Sequence, residues 1–253
     1  LFLGIGTSIV SLAKGITYLL ANQPVLIWSF FFGLIVASVI FVGKQVRDWN
    51  VKNVIALIAG AVIAYLITVL SPSQMPEGLI YIFLAGSVAI CAMILPGISG
   101  SFILLLLGAY ATVLGAVNGT IDSLKAGDMQ GLLENGVQLA TFMLGCLVGL
   151  LSFSRLLSWM FKKAHDLTIV LLTGFMIGSL NKVYPWKITT EFRMNSHGEQ
   201  IPFLQENVFP AQYTDGEPMI LGAIALAILG FLVVFGLEKL GEKSSLKSCF
   251  LDK

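Results

Sequence analysis

The sequence predicts an all-α, polytopic integral membrane protein with inverted-topology repeats and a broken, re-entrant helical hairpin. Three observations predict it. Hydrophobic residues fill 57% of the 253 positions and charged ones only 11%, where a soluble domain carries about 25% charged residues. Apolar runs of membrane-spanning length recur along the whole chain. The chain also matches itself at a displacement of 141 residues, without a gap over 36 positions.

The expected spans are about 1–21, 24–43, 51–70, 78–117 (interrupted), 134–161, 166–180 and a last one at 219–237. The interrupted stretch counts as one hairpin, so the chain returns to the side it left. Lysine and arginine positions set the orientation. With the loop Gly43–Lys52 in the cytoplasm, nine cations lie inside: Lys44, Arg47, Lys52, Lys162, Lys163, Lys239, Lys243, Lys247 and Lys253. Four lie outside: Lys125, Lys182, Lys187 and Arg193. Lys14 and Arg155 fall inside apolar spans. The expected organisation is one transmembrane domain over 1–253. It has a truncated first repeat at roughly 1–50, a second at roughly 78–190, an extracytoplasmic loop at 181–218 and the final span at 219–237.

The self-match pairs Leu3-Gly4 with Leu144-Gly145, Ser11 with Ser152, Lys14 with Arg155, Tyr18 with Trp159, Gly33 with Gly174 and Ser38 with Ser179. Leucines recur by chance in such a chain; the order Gly, Ser, cation, aromatic, Gly, Ser does not. Three spans and a hairpin separate the copies, and an odd number of crossings reverses direction. Inverted repeats are typical of secondary transporters, whose sites form at the repeat interface from broken helices. The chain starts at Leu1 in mid-span, so the reading expects a preceding segment. A second Pro-Gly-x-Ser-Gly element should lie in it, about 45 residues before Leu1.

Two features carry chemistry. LPGISGS (95–101) interrupts an apolar run with residues that break helices: Pro96 lacks a backbone donor, and Gly97 and Gly100 admit turns. Ser99 and Ser101 add hydroxyls, and a helix starting near Ile98 or Ser99 offers free N–H groups to an anion such as phosphate. Non-helical backbone at that depth survives only when buried in protein or lining a cavity. A tight hairpin tip with satisfied serines is the plainer alternative. The second feature is the helix 134–161, where Gln138, Thr141, Gly145, Gly149, Ser152 and Arg155 recur at three- and four-residue steps on one face. Close helix approach explains the glycines. A cation costs at least about 2.5–3.5 kcal/mol at the bilayer centre, and snorkelling is its plainer explanation. With Lys14 near one leaflet and Arg155 near the other, an anionic head group would meet a cation at entry and exit.

Other residues read more plainly. Cys91 and Cys146 are small packing residues, and an odd count of three cysteines argues against a disulfide framework. His165-Asp166 reads as a solvated helix start with Asp166 as the capping residue. Tyr184 and Trp186 read as interfacial anchors, and the acids of the outer loop as solvated surface. Asn118-Gly119-Thr120 fits a glycosylation acceptor, a short pattern that often matches by accident. Net charge is +1 and no basic patch appears, which argues against nucleic acid as a partner. No cofactor or metal spacing is visible.

LPGISGSFILLLLGAY, followed by SRLLSWMFKKAHD and TGFMIGSLNKVYPW, resembles the bacterial and archaeal membrane family long known as domain of unknown function 368. The resemblance covers nearly the whole chain. It implies translocation of polyprenyl (undecaprenyl) phosphate between leaflets of the cell membrane, which recycles the lipid carrier of envelope synthesis. It also implies that Pro96, Gly97, Ser99, Gly100, Ser101 and Arg155 contact the head group; Ser152 and Lys14 join them from the repeat. Relatives follow the Gly-x-Tyr of the hairpin with a glutamate, where this chain has Ala111 after Tyr110. A proton-coupling role for that acid therefore does not carry over.

Two rivals stay open on the sequence. A polyprenyl-diphosphate phosphatase also pairs a Ser/Gly-rich loop with an arginine, but it would need an activating group and usually acidic metal ligands. No Glu-Glu-x-x-x-Glu cluster exists in the sequence, and neither histidine is near the serines. A small-anion transporter or channel would need an aqueous site and no lateral opening.

Overall fold

The computed structural model describes residues 22–70, 78–194 and 200–251 together with Ile16, Leu19, Leu20 and Pro76; expectations that fall on residues 1–15, Lys14 among them, lie outside the described residues. The elements are α1 (Pro24–Lys44), α2 (Val51–Val69), α3 (Leu79–Ile94), α4 (Gly100–Leu106), α5 (Tyr110–Ala126), α6 (Met129–Lys163), α7 (His165–Val183), β1 (Lys187–Met194), β2 (Gln200–Asn207), a 3-10 turn at Pro210–Gln212 and α8 (Ile220–Leu251).

Local chemistry sets the helix ends. Pro24 opens α1, where its missing N–H costs nothing. The Asn50 side chain caps α2 by accepting from the Asn53 N–H, and Asp128 caps α6 by accepting from Gln130. Gly127, left-handed at φ 70°, closes α5 and leaves a tight turn into α6. Among the described residues, five helices are long and apolar enough to cross a membrane: α1, α2, α6, α7 and residues 220–240 of α8. They match the expected spans. At 35 residues, α6 reaches about 52 Å, well beyond a hydrocarbon core of about 30 Å. Its polar start, with Gln130, Glu134 and Asn135, forms the surplus.

Two sequence expectations need correction. The interrupted stretch breaks twice rather than once. After LPGISGS, α4 lasts seven residues, and the axis then turns by 108° into α5. Gly108, at φ 70°, makes that second turn. The stretch 181–218 is also not a plain loop. α7 runs on to Val183, and β1 and β2 form an antiparallel ribbon running from Lys187 opposite Asn207 to Met194 opposite Gln200.

The chain forms two compact units, one from residues 42–179 and one from its two ends, up to residue 41 and from 180 on. In the first unit the helices pair in parallel. Gly60 lies against the Leu171 carbonyl, Gly174 against that of Leu57 and Gly178 against that of Ala61, so α2 and α7 run side by side in one direction. Likewise Gly145 meets Phe83 and Gly149 meets Ser87, which sets α3 parallel to α6. The Ser87 hydroxyl donates to the Gly145 carbonyl at 2.8 Å and the Cys91 thiol approaches the Gly149 carbonyl at 3.7 Å, both 58 residues apart. A parallel α3 and α6 require α4 and α5 to bring the chain back, as expected of the hairpin. Small residues allow such close crossings between membrane helices, where packing rather than hydrophobicity drives association.

At one end of this unit the Asp48 N–H donates to Asp166 Oδ2 at 3.2 Å. Asp166 was expected to cap its own helix; it instead ties the 44–50 loop to the start of α7, and its other oxygen meets His165 Nδ1 at 3.2 Å. The tie gathers Lys44, Arg47 and Lys52 at the same end as Lys162 and Lys163, the grouping on which the orientation was argued.

In the second unit α1 and α8 are parallel. Gly33 lies against the Ala227 carbonyl and Gly230 against that of Phe30. The rings of Phe41 and Phe235 sit 6.0 Å apart further along. The Trp186 indole N–H donates to the Pro218 carbonyl at 2.9 Å, joining the start of the ribbon to the approach to α8.

Candidate functional site

The break after α3 is held from below and open above. Ile98 is buried with Ala64, Ala92, Ile103, Leu106 and Phe175, so the tip is pinned by an apolar residue drawn into the helix core. Gly97 has φ 91°, and a Cβ there would strike the Ser179 side chain on α7. Conformation and space both demand glycine at that position. Gly100 is buried, and a Cβ there would come within 2.8 Å of the Ala89 carbonyl. Pro96 is partly buried and ends the run of α3.

Ser99 and Ser101 face outward. Both are exposed, and their hydroxyls share a hydrogen bond of 2.8 Å. Ser99 stands at the N-cap position of α4 without using its side chain as a cap. The seven-residue α4 is too short to carry much of a macrodipole, so this hydroxyl pair is the main polar feature of the tip.

Arg155 lies on α6, six residues beyond Gly149, whose carbonyl the Cys91 thiol of α3 approaches. Its side chain is exposed, as is Ser152 one turn earlier. By helical geometry Arg155 lies about 100° around α6 from the glycine seam on α3. The expected single face is thus divided: Gly145 and Gly149 are consumed by packing, while Ser152 and Arg155 occupy an accessible flank. The structure holds Pro96, Gly97, Ser99, Gly100 and Ser101 in one break, and Arg155 stands exposed on α6. Lys14 is outside the described residues.

Sequence reasoning passed over Lys187. It read as one outer charge among four, yet it is 8% exposed. Its amine donates to the Lys182 carbonyl and lies 3.9 Å from the centre of the Trp28 ring. Burial, and secondarily the Lys182 charge, pushes this lysine down to about 7. The available signal was its place beside Tyr184 and Trp186, whose rings stack edge-on at 5.7 Å.

Apolar helices of spanning length around a broken hairpin define a multi-pass membrane protein. The chain belongs to the undecaprenyl phosphate translocase-like family, which matches its residues 1–201. It is 47% identical over 246 residues to a polyprenyl-phosphate transporter of Vibrio cholerae serotype O1, covering 96% of this chain and 75% of the relative. It is 30% identical over 197 residues to a polyprenyl-phosphate transporter of Staphylococcus aureus, covering 73% of this chain and 67% of the relative. No solved structure matches the chain.

Proposed function

We propose that this protein moves polyprenyl phosphate between the leaflets of the cell membrane, recycling the lipid carrier of envelope synthesis. The observation that carries the reading is the exposed Ser99–Ser101 hydroxyl pair at the hairpin break, in a chain whose relatives bear the name polyprenyl-phosphate transporter. A phosphate monoester drawn through hydrocarbon needs its charge met at every depth. Arginine stays protonated and can bind two phosphate oxygens through its planar fork. The serine hydroxyls donate to the remaining oxygens, while the isoprenoid tail stays among lipid chains. No bond is made or broken in this scheme, which is translocation rather than hydrolysis.

The two copies of the repeat supply the geometry in this reading. In inverted orientation they would form one transmembrane domain that presents a cation toward each leaflet, Arg155 from one copy and Lys14 from the other. The Pro96–Ser101 tip and Ser152 would complete the contacts to the head group.

The test is reconstitution of the protein into vesicles holding labelled polyprenyl phosphate in one leaflet. Protein-dependent loss of leaflet asymmetry supports the reading. Efflux of inorganic phosphate with an unmoved lipid would replace it with soluble-anion transport, and release of phosphate from a polyprenyl diphosphate would replace it with hydrolysis.

A further inference from the structure

Five cations gather at one end of the unit built from residues 42–179. Lys44, Arg47 and Lys52 belong to the link between α1 and α2, and Lys162 and Lys163 end α6. All five are exposed. The acids of the same stretch are Asp48 and Asp166, and both oxygens of Asp166 are engaged, by the Asp48 N–H and by His165. Among the described residues no carboxylate pairs with Arg47, Lys52, Lys162 or Lys163. The other end of α6 has the opposite balance. Around the α5–α6 turn, Asp122, Asp128 and Glu134 stand against Lys125, which itself pairs with Asp122 at 3.7 Å.

The cationic belt is held in shape. Val46 is 7% exposed and packs with Ile169 and Val170 of α7, which pins the middle of the link. The Asp48 carbonyl accepts from the Asn53 side-chain amide at 2.7 Å, and Asn50 caps α2. The backbone that carries Arg47 therefore loses little further freedom on meeting a ligand. Trp49 and Trp159 flank the cations, 55% and 56% exposed. The Lys163 amine lies 5.1 Å from the centre of the Trp159 ring. Here α1 and α6 end and α2 and α7 begin, so the belt lies where apolar spans meet water. Tryptophans and cations at that level contact lipid head groups.

We infer that this belt is a docking surface for anionic phospholipid of the phosphatidylglycerol class, in the leaflet that adjoins it. Cations clustered at the ends of membrane helices attract acidic head groups, each cation contributing about fivefold in binding. The planar fork of Arg47 takes two oxygens of a phosphate diester, and the lysines act as point charges beside it. Five cations spread over two segments suit several head groups side by side, whereas one phosphate monoester would leave most of them unmet. The inference is independent of the transport reading above.

Binding of fluorescent phosphatidylglycerol to the purified protein in neutral detergent tests it, with fluorescent phosphatidylcholine as the zwitterionic probe. Phosphatidylglycerol should bind at least about tenfold more tightly. Raising the ionic strength from about 0.1 M to about 1 M shortens the screening length from about 10 Å to about 3 Å and should remove most of that preference. Arg47→Gln, Lys162→Gln and Lys163→Gln combined should abolish it in protein of wild-type thermal midpoint, because all three side chains are exposed. Lys125→Gln, at the far end of α6, should keep it. Equal binding of the two lipids by the wild type, or a preference that survives salt, overturns the inference. So does an undiminished preference in the triple variant. Displacement of phosphatidylglycerol mole for mole by unlabelled polyprenyl phosphate would assign the belt to that lipid instead.

Discussion

Gly33 and Gly174 stand 141 residues apart and serve the same kind of helix crossing: each lies where a parallel neighbour brings a backbone carbonyl, that of Ala227 or Leu57, into the space of a Cβ. The crossings are reciprocal. Gly230 lies against the carbonyl of Phe30 and Gly60 against that of Leu171, and Phe30 and Leu171 are again 141 apart. The starts of α1 and α7, Pro24 and His165, keep the same displacement. The sequence match is therefore accompanied by one packing solution built twice, with α2 answering to α8 across it.

Leucine at Gly33 or Gly174 should lower the thermal midpoint of the detergent-solubilised protein, because the obstacle is backbone that cannot rotate away. Overpacking of this kind costs about 1–3 kcal/mol. Gly115, with nothing within 4 Å of its would-be Cβ, is the control and should tolerate alanine. Equal midpoints for all three variants would refute the crossing.

Gly97→Ala faces two obstacles that can be separated. Pairing it with Ser179→Gly removes the collision and leaves the left-handed backbone at φ 91°, a residual of about 1–2 kcal/mol. The double variant should thus recover part of the lost stability and not all of it. Complete recovery would mean that conformation is no constraint there.

Asp166→Ala should loosen the 44–50 loop. Hydrogen exchange at the Asp48 amide, now tied to the Asp166 carboxylate at 3.2 Å, should quicken while exchange in the middle of α2 stays slow. An unchanged Asp48 rate would show that the tie holds nothing.

Lys187 gives a pH dependence of stability. Its folded value is lowered to about 7 from the ordinary 10.5, so between those values the unfolded chain binds more protons than the folded one. Stability due to this group must then rise with pH across that window. Lys187→Met should be more stable than wild type near pH 6, with the gap narrowing toward about pH 9. A gap that widens with pH would contradict the burial of this amine.

What the sequence disclosed and what it hid have physical reasons. Span length, the cations at one end and the helix-breaking run at 95–101 are local properties, visible in composition and spacing. Gly33 and Gly174 could be paired because close packing restricts a position to glycine. The ribbon was hidden because KITTEFRM alternates too weakly to outweigh its loop-like neighbours. The turn at Gly108 was masked by the leucine run before it. The division of the α6 face was hidden as well, because glycine and arginine three- and four-residue steps look alike until α3 takes one part of the face. Burial of Lys187 depends on Trp28, 159 positions earlier, and only the fold brings them together.

Arg155 gives the most direct test of the central claim. In vesicles with labelled polyprenyl phosphate, Arg155→Ala should slow leaflet exchange by at least about tenfold, and Arg155→Lys should restore part of it because charge returns without the planar fork. Exchange at the wild-type rate in Arg155→Ala, in protein folded as judged by its thermal midpoint, would contradict the account.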